Sequence, residues 1–146
     1  HYAITGNTAA EIVYKRVDSK KENMGLTTWE NSPDGKILKS DVIIAKNYLN
    51  EREIKNLNNL VNLFLDIAEN NAERSITMYM EDWKNEVENA LKVFHYEVLE
   101  GKGKISHKQA VKKAENEYEK YKVIQDKNYV SDFDRLLSEI KQIENK

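Results

Sequence analysis

Residues 50–73, NEREIKNLNNLVNLFLDIAENNAE, predict the longest helix of the chain and indicate its fold class. The apolar side chains recur every three or four residues in two adjoining rows, which are Ile54, Leu57, Val61, Phe64 and Ala68 beside Leu60, Leu63 and Ile67. This spacing places them on one broad helical face. Asn50 and Glu53 have the spacing of a capping box, which starts a helix. Because a broad apolar face can pack on two flanks, we expect this helix to be central.

The same periodicity predicts five further helices, at about 8–18, 41–49, 79–99, 106–124 and 131–143. Thr8 with Glu11 and Ser106 with Gln109 are further capping boxes, and Ser40 and Ser131 stand at cap positions. Short loops between helices favour antiparallel neighbours. The sequence therefore predicts an all-α, bundle-like arrangement of about six helices, with residues 1–6 as a short extended segment.

The stretch MGLTTWENSPDGKILKSD, residues 24–41, interrupts this pattern because it is rich in turn formers. It holds two of the five glycines, the single proline and one of the two tryptophans. We expect an ordered irregular loop at 24–40, in which Trp29 plugs the helical core with its indole N–H bonded to a loop carbonyl. The alternative is that Trp29 is exposed and anchors an interface.

Length and composition favour one globular domain, residues 1–146, in the cytoplasm. The chain has 146 residues and no cysteine, and no apolar run approaches the roughly 20 residues needed to cross a bilayer. It starts without methionine, which favours a C-terminal fragment of a longer chain. The net charge of −2 is unevenly spread, with 5 basic and 11 acidic residues in 51–100 and 8 basic and 4 acidic residues in 101–128.

The basic excess after residue 100 predicts a candidate nucleic-acid contact. Its lysines lie around the start of one helix, where free backbone N–H groups also favour phosphate. The candidate residues are Lys102, Lys104, Lys108, Lys112 and Lys113. Base-reading arginine and asparagine are missing along this helix, so non-specific phosphate contact is the hypothesis. A solvated lysine face is the alternative interpretation.

Signatures of catalysis, metal binding and cofactor binding are weak, so we predict no catalytic residue, metal or cofactor. His1, His95 and His107 lie far apart in sequence, and the acidic row Asp66, Glu69 and Glu73 has polar neighbours. No nucleophile elbow or phosphate-binding glycine loop is present. An enzyme remains an alternative, with a pocket formed where two segments converge. Its candidate residues are Thr5, Asn7, Trp29, Lys36 and Asp41.

Five stretches resemble the RhuM family of bacterial virulence-associated proteins, in order, to about residue 134. They are HYAITGNTAAEIVYKR, MGLTTWENSPDGKILKSDVIIAKNYLNE, LFLDIAENNAER, DWKNEVENAL and YVSDFD. The resemblance implies a protein of pathogenicity islands and mobile DNA, in which a DNA-binding segment precedes these motifs. Some members of the family are joined to Fic-type toxins, but the Fic motif is missing here, so no nucleotidyl transfer is implied.

These observations predict a non-enzymatic helical domain of a DNA-associated regulator. We expect it to act through contact with a protein partner or through homo-oligomerisation, with no membrane involved. Direct binding of DNA through the lysines of 102–113 is the alternative function. An enzyme with a site near residues 5–8 and 24–41 is the second alternative.

Overall fold

The computed structural model describes residues 1–144, and these residues form α-helices and short 3-10 turns with no β-strand. The α-helices are α1 (Tyr2–Thr5), α2 (Ala9–Arg16), α3 (Glu51–Glu73), α4 (Met80–Val93), α5 (His107–Asn128) and α6 (Asp132–Glu144). The 3-10 turns are Glu22–Gly25, Asp41–Ile43 and Ala45–Tyr48. The expected all-α, bundle-like class is confirmed. None of the described helices is both long and apolar enough to span a bilayer.

Local side-chain caps start α2, α3, α5 and α6 where the sequence predicts them, whereas the predicted cap at Ser40 is wrong because its side chain makes no capping bond. The three capping boxes, at Thr8–Glu11, Asn50–Glu53 and Ser106–Gln109, are all formed. At the start of α6 the Ser131 hydroxyl accepts from the Asp134 N–H at 3.1 Å. Each cap satisfies backbone donors that a helix end leaves unpaired.

The core lies between α2, α5 and the irregular segment 24–49. On α5, Ala110, Ala114 and Tyr118 follow one another at a spacing of four residues and are buried. The two small alanines let α2 approach α5 closely, since side chains four residues apart share one helical face. The other buried apolar residues are Ile12, Val13, Val17, Met24, Leu26, Trp29, Ile37, Val42, Ala45, Tyr48 and Leu49.

The irregular segment covers this core, as expected from its tryptophan. The Trp29 side chain is buried and its indole Nε1 donates to the Gly35 carbonyl at 2.8 Å. The buried Asp41 carboxylate accepts from the backbone N–H groups of Glu30 at 3.1 Å and Leu38 at 2.7 Å. These bonds pair polar groups of the loop where it lies over apolar side chains, and pairing lowers the cost of burying them.

The expectation that the longest helix is central is wrong. Of all the residues of α3, only Leu60 is buried, and Ile54 and Leu57 pack partly against the core. Helix α5 is the central helix instead, because α2 and segment 24–49 pack against two sides of it. A helix of 23 residues is about 35 Å long, so its second half extends beyond this core.

Three predicted boundaries also differ from the structure. Residues 2–5 are a helical turn rather than an extended segment, and α4 ends at Val93 instead of residue 99. The early end is a cap in which Tyr96 N–H donates to the Leu91 carbonyl at 2.8 Å while His95 takes a left-handed φ of 61°. In addition, α5 continues to Asn128.

The predicted helix at 41–49 is replaced by two 3-10 turns separated by Ile44, whose backbone is extended (φ −95°, ψ 111°). In this segment, side chains donate hydrogen bonds to backbone carbonyls that would accept from backbone N–H groups in an α-helix. The Asn47 amide donates to the Asp41 carbonyl at 3.0 Å, and the Tyr48 hydroxyl donates to the Val42 carbonyl at 2.6 Å. Tyr48 is buried, so its hydroxyl needs this acceptor.

Candidate functional site

The second half of α3 and the whole of α4 form an arm, residues 61–94, whose apolar side chains are poorly covered. No residue of α4 is buried, although Trp83, Val87 and Leu91 are half-buried. Tyr79 is 73% exposed and Met80 is 83% exposed. The other exposed apolar residues of the arm are Val61, Leu65, Ile76, Val93 and Phe94.

An apolar groove of about 320 Å³ lies at the tip of the arm. Ala68 and Ala72, four residues apart on α3, leave a recess beside Trp83 of α4. Ile76, Met78, Tyr79, Met80 and Asn71 complete the lining. Methionine side chains adapt to irregular surfaces, so this groove has the composition of a site that receives an apolar side chain.

Helix α6 presents an apolar seam that stays partly to largely exposed in the described chain. It has 13 residues and no buried side chain. The seam residues are exposed, and they are Phe133, Leu136, Leu137, Ile140 and Ile143. Isolated helices of about 12–15 residues or fewer are marginal in water, so this helix depends on contacts made by its apolar seam.

A second concave feature is a cleft of about 550 Å³ between the first two helices and the loop that precedes α5. Gly103 fixes the loop there, because its φ is +76° and an added Cβ would lie 2.6 Å from Thr8 Cγ2. The cleft is lined by Tyr2, Gly6, Asn7, Glu11, Tyr14, Lys15, Leu99, Glu100, Lys102, Gly103, Lys104 and Ile105.

Glu11 is buried at the back of the cleft and serves as an anchor. Its carboxylate accepts from the Lys104 N–H at 2.7 Å and from the Thr8 N–H at 3.0 Å. These two backbone donors, Lys104 first, hold the pKa of Glu11 below its usual value, and the nearby Lys15 ammonium acts in the same direction. A carboxylate held ionised in this way is a poor candidate for a general base.

The five predicted lysines are divided among three environments. Lys102 and Lys104 line the cleft, whereas Lys108 and Lys112 line a shallow groove on α5 beside Val111. Lys113 donates to the Tyr14 carbonyl, and its Nζ lies 4.4 Å from the centre of the Tyr14 ring. These lysines therefore lie on at least two separate surfaces.

The predicted pocket residues lie near opposite ends of α5. Asn7 lines the cleft, where its side chain bonds the Thr5 carbonyl at 2.9 Å, close to the start of α5. Lys36 bonds Asp126 at 2.8 Å, close to the end of the same helix. Trp29 and Asp41 hold the irregular loop together. The structure does not bring these five residues to one site.

Two features of these surfaces were missed in the sequence. Tyr2, Tyr14 and Lys15 line the cleft, and no local pattern links them to the lysines near residue 103. Ala68 is predicted to lie in a packed stripe and Ala72 is assigned no role, yet together these two small residues, four apart, border a recess. Within residues 1–144, no group of three or more histidine or acidic side chains is arranged to hold a metal ion.

Comparison with known proteins gives one match. The family model described as virulence protein RhuM family matches residues 1–130, which is most of the chain. No curated protein and no solved structure matches it.

Proposed function

This chain belongs to the RhuM family of virulence proteins, and we propose that it acts there as a non-enzymatic assembly domain that pairs with a second copy of itself. In this proposal α6 of one copy lies in the groove of the arm of the other copy. The assembly would serve a cytoplasmic, DNA-associated regulator of the kind that the family resemblance implies.

The observation that carries the proposal is the amount of apolar surface left uncovered. Seven exposed apolar residues on the arm and five on α6 present on the order of 1,000 Å² together, taking about 100 Å² for each partly exposed side chain. The arm and α6 each therefore carry a patch near the upper end of the range of about 300–600 Å² for the largest apolar patch on a typical monomer. A standard interface buries about 800 Å² on each partner, so this surface suits a stable pairing.

We expect the two surfaces to fit each other in shape as well as in apolar character. The arm offers a recess bordered by Ala68, Ala72 and Trp83, and α6 offers bulky residues such as Phe133 and Ile140 at a helical spacing. An amphipathic helix that docks in an apolar groove uses such anchors. Because one chain carries both surfaces, two copies can exchange α6 in a closed, two-fold arrangement.

Light scattering with sedimentation over a range of concentrations tests this proposal. We expect the wild-type chain to be a dimer at micromolar concentration. The double variant Leu136→Glu/Ile140→Glu places two charges in the α6 seam and should weaken association at least about ten-fold. Ser138→Glu/Gln142→Glu adds the same charge on the opposite face of α6 and should leave association unchanged. A monomeric wild-type chain at high micromolar concentration would contradict the proposal.

Non-specific nucleic-acid binding through the lysines is a second candidate function. The ammonium groups of Lys102, Lys104, Lys108 and Lys112 have no carboxylate within ion-pair distance in residues 1–144, although acids outnumber bases in the chain. A gel-shift titration with duplex DNA should show binding that weakens with salt and is lost in Lys108→Glu/Lys112→Glu. If no shift occurs at low salt, this candidate is excluded.

A further inference from the structure

The cleft beside the N-terminal helices shares no lining residue with the groove of the arm or with α6. Its volume of about 550 Å³ lies within the range of about 300–1,000 Å³ that small-molecule sites occupy. An inference about its ligand therefore stands independently of the assembly proposed above.

The cleft has a rigid wall. The backbone N–H of Lys104 is bonded to the buried Glu11, and Gly103 packs so closely on Thr8 that a side chain there would collide with it. Near the start of α2, Lys15 bonds the Asn7 side chain, which bonds the backbone of Thr5 in turn. Binding would require little ordering of these segments, and this lowers the entropic cost of holding a ligand.

The cationic side chains of the cleft are available to an anion. Lys102 and Lys104 are exposed and have no ion-pair partner among the described residues, and Lys15 bonds only a neutral amide. Two acids, Glu11 and Glu100, also line the cleft. The ionised Glu11 attracts the Lys15 and Lys104 ammonium groups. Together with Glu100 it offsets two of the three positive charges, so the lining keeps a net charge of +1.

Flat and apolar surfaces accompany these cations. The side chains of Tyr2 and Tyr14 line the cleft together with Leu99 and Ile105. The Lys113 ammonium lies over the Tyr14 ring, 4.4 Å from its centre, and Tyr14 is 36% exposed and lines the cleft. A planar, uncharged group and a multiply charged anion in one ligand are the features of a nucleotide.

We propose that this cleft binds a nucleotide unit, with its base against the tyrosines and its phosphates on Lys15, Lys102 and Lys104. The ligand is either a free nucleoside phosphate or one unit of a single strand. We expect the cleft to bind different bases with similar affinity. The side-chain amide of Asn7 is the group best suited to recognise a base, but it is already bonded to Lys15 and Thr5.

Calorimetric titration of the full chain with adenosine diphosphate, inorganic phosphate and a short oligothymidylate tests this proposal. We expect adenosine diphosphate to bind at least about ten-fold more tightly than inorganic phosphate, because the base adds stacking. Tight binding of the mononucleotide assigns the cleft to free nucleotides. Binding of the oligonucleotide alone assigns it to a strand, and both results support a nucleotide site.

Matched variants distinguish ligand binding in this cleft from binding by lysines outside it. Lys102→Glu/Lys104→Glu should weaken binding at least about ten-fold, and it keeps the backbone N–H of residue 104 that binds Glu11. Thermal unfolding of the variant checks that it is folded. Lys20→Glu/Lys21→Glu changes the charge equally at exposed lysines that do not line the cleft and should have little effect. Tyr14→Leu should weaken binding of adenosine diphosphate, whereas Tyr14→Phe keeps the ring and should retain it.

Three results would overturn the proposal. The first is that none of the three probes binds. The second is that inorganic phosphate binds as tightly as adenosine diphosphate, which would leave no role for the tyrosines. The third is an equal loss of binding in the two lysine double variants, which would show a general effect of charge.

Discussion

Trp29 shows how a single side chain can order an irregular segment. Its ring is buried against the core while its indole nitrogen bonds the carbonyl of Gly35, six residues along the same loop. The apolar body and the polar edge of one residue therefore satisfy the core and the loop together. Turn formers around it are needed because the chain must fold back to close this bond.

The Trp29→Phe variant should lower the free energy of unfolding by about 2 kcal/mol. It removes ring volume from the core and leaves the Gly35 carbonyl without its donor. Urea denaturation measures the change. Trp83→Phe is the control, because Trp83 is half-buried and its indole has no acceptor in residues 1–144, so a smaller loss is expected. An equal loss in both variants would contradict a special role of the Trp29 hydrogen bond.

Glu117 links α5 to the turn after α2 and makes stability depend on pH. Its side chain is 18% exposed, and its Oε2 accepts from the Ser19 N–H at 2.9 Å. Hydrogen bonds from Ser19 lower the pKa of Glu117 from 4.5 to about 2. The stability contributed by the ionised carboxylate is therefore fully present above pH 4.5 and is lost as the pH falls towards 2.

We therefore expect Glu117→Gln to flatten the decrease in unfolding free energy between pH 4.5 and pH 2. Denaturation curves at several pH values within this range measure the slope. Glu119→Gln changes an exposed neighbour on the same helix and should keep the wild-type slope. If Glu117→Gln keeps that slope too, the Ser19 contact does not control the acid sensitivity.

At the scale of elements, the connection between α2 and α3 depends on one ion pair. Arg16, at the end of α2, binds both oxygens of Glu53, in the first turn of α3, at 2.7 Å each. The same guanidinium donates to the Tyr48 carbonyl at 2.8 Å. Three hydrogen bonds from one planar group fix the angle at which α3 leaves the core.

Arg16→Lys should cost about 1–2 kcal/mol of stability, because an ammonium cannot make the two-pronged contact. Thermal or urea unfolding measures this cost. Lys39→Gln is the control, since Lys39 reaches Glu115 and Glu119 only at 3.9 and 3.8 Å on an exposed surface, and such pairs contribute little. If Arg16→Lys leaves the free energy of unfolding unchanged, packing alone orients α3.

At the scale of the whole molecule, packing is unevenly distributed. One end has a core built from α2, α5 and segment 24–49, whereas the arm and α6 expose their apolar faces. The arm, residues 61–94, carries seven acidic and three basic residues, and α6 carries four acidic and two basic residues. The proposed partners are thus both negative, and their attraction is hydrophobic.

This charge distribution predicts opposite salt responses for the two proposed activities. Self-association should become tighter as salt rises from low to physiological concentration, because salt screens the repulsion between acidic surfaces. Nucleotide binding in the cleft should become weaker over the same range, because lysines compete with cations for the phosphate. Sedimentation and calorimetry in matched buffers measure both. Self-association that weakens with added salt would argue against an apolar interface between arm and α6.

The sequence by itself determined the helical class, the starts of α2, α3, α5 and α6, and the role of Trp29. These depend on interactions between residues three to six positions apart, such as the Thr8–Glu11 and Asn50–Glu53 boxes and the Trp29–Gly35 bond, and short-range patterns record them. The interruption at Ile44 was not predictable, because it depends on where Asn47 and Tyr48 find acceptors in the folded chain.

Only the tertiary structure decided which apolar stripes become core. The stripes of α3 and α6 have the same periodicity as that of α2, yet α2 is buried against α5 and most of α3 is not. The small residues Ala110 and Ala114 let α5 accept one close neighbour, and segment 24–49 fills the remaining flank. The periodicity of a helix predicts that one of its faces is apolar. Whether the same chain or a partner covers that face depends on how distant segments pack.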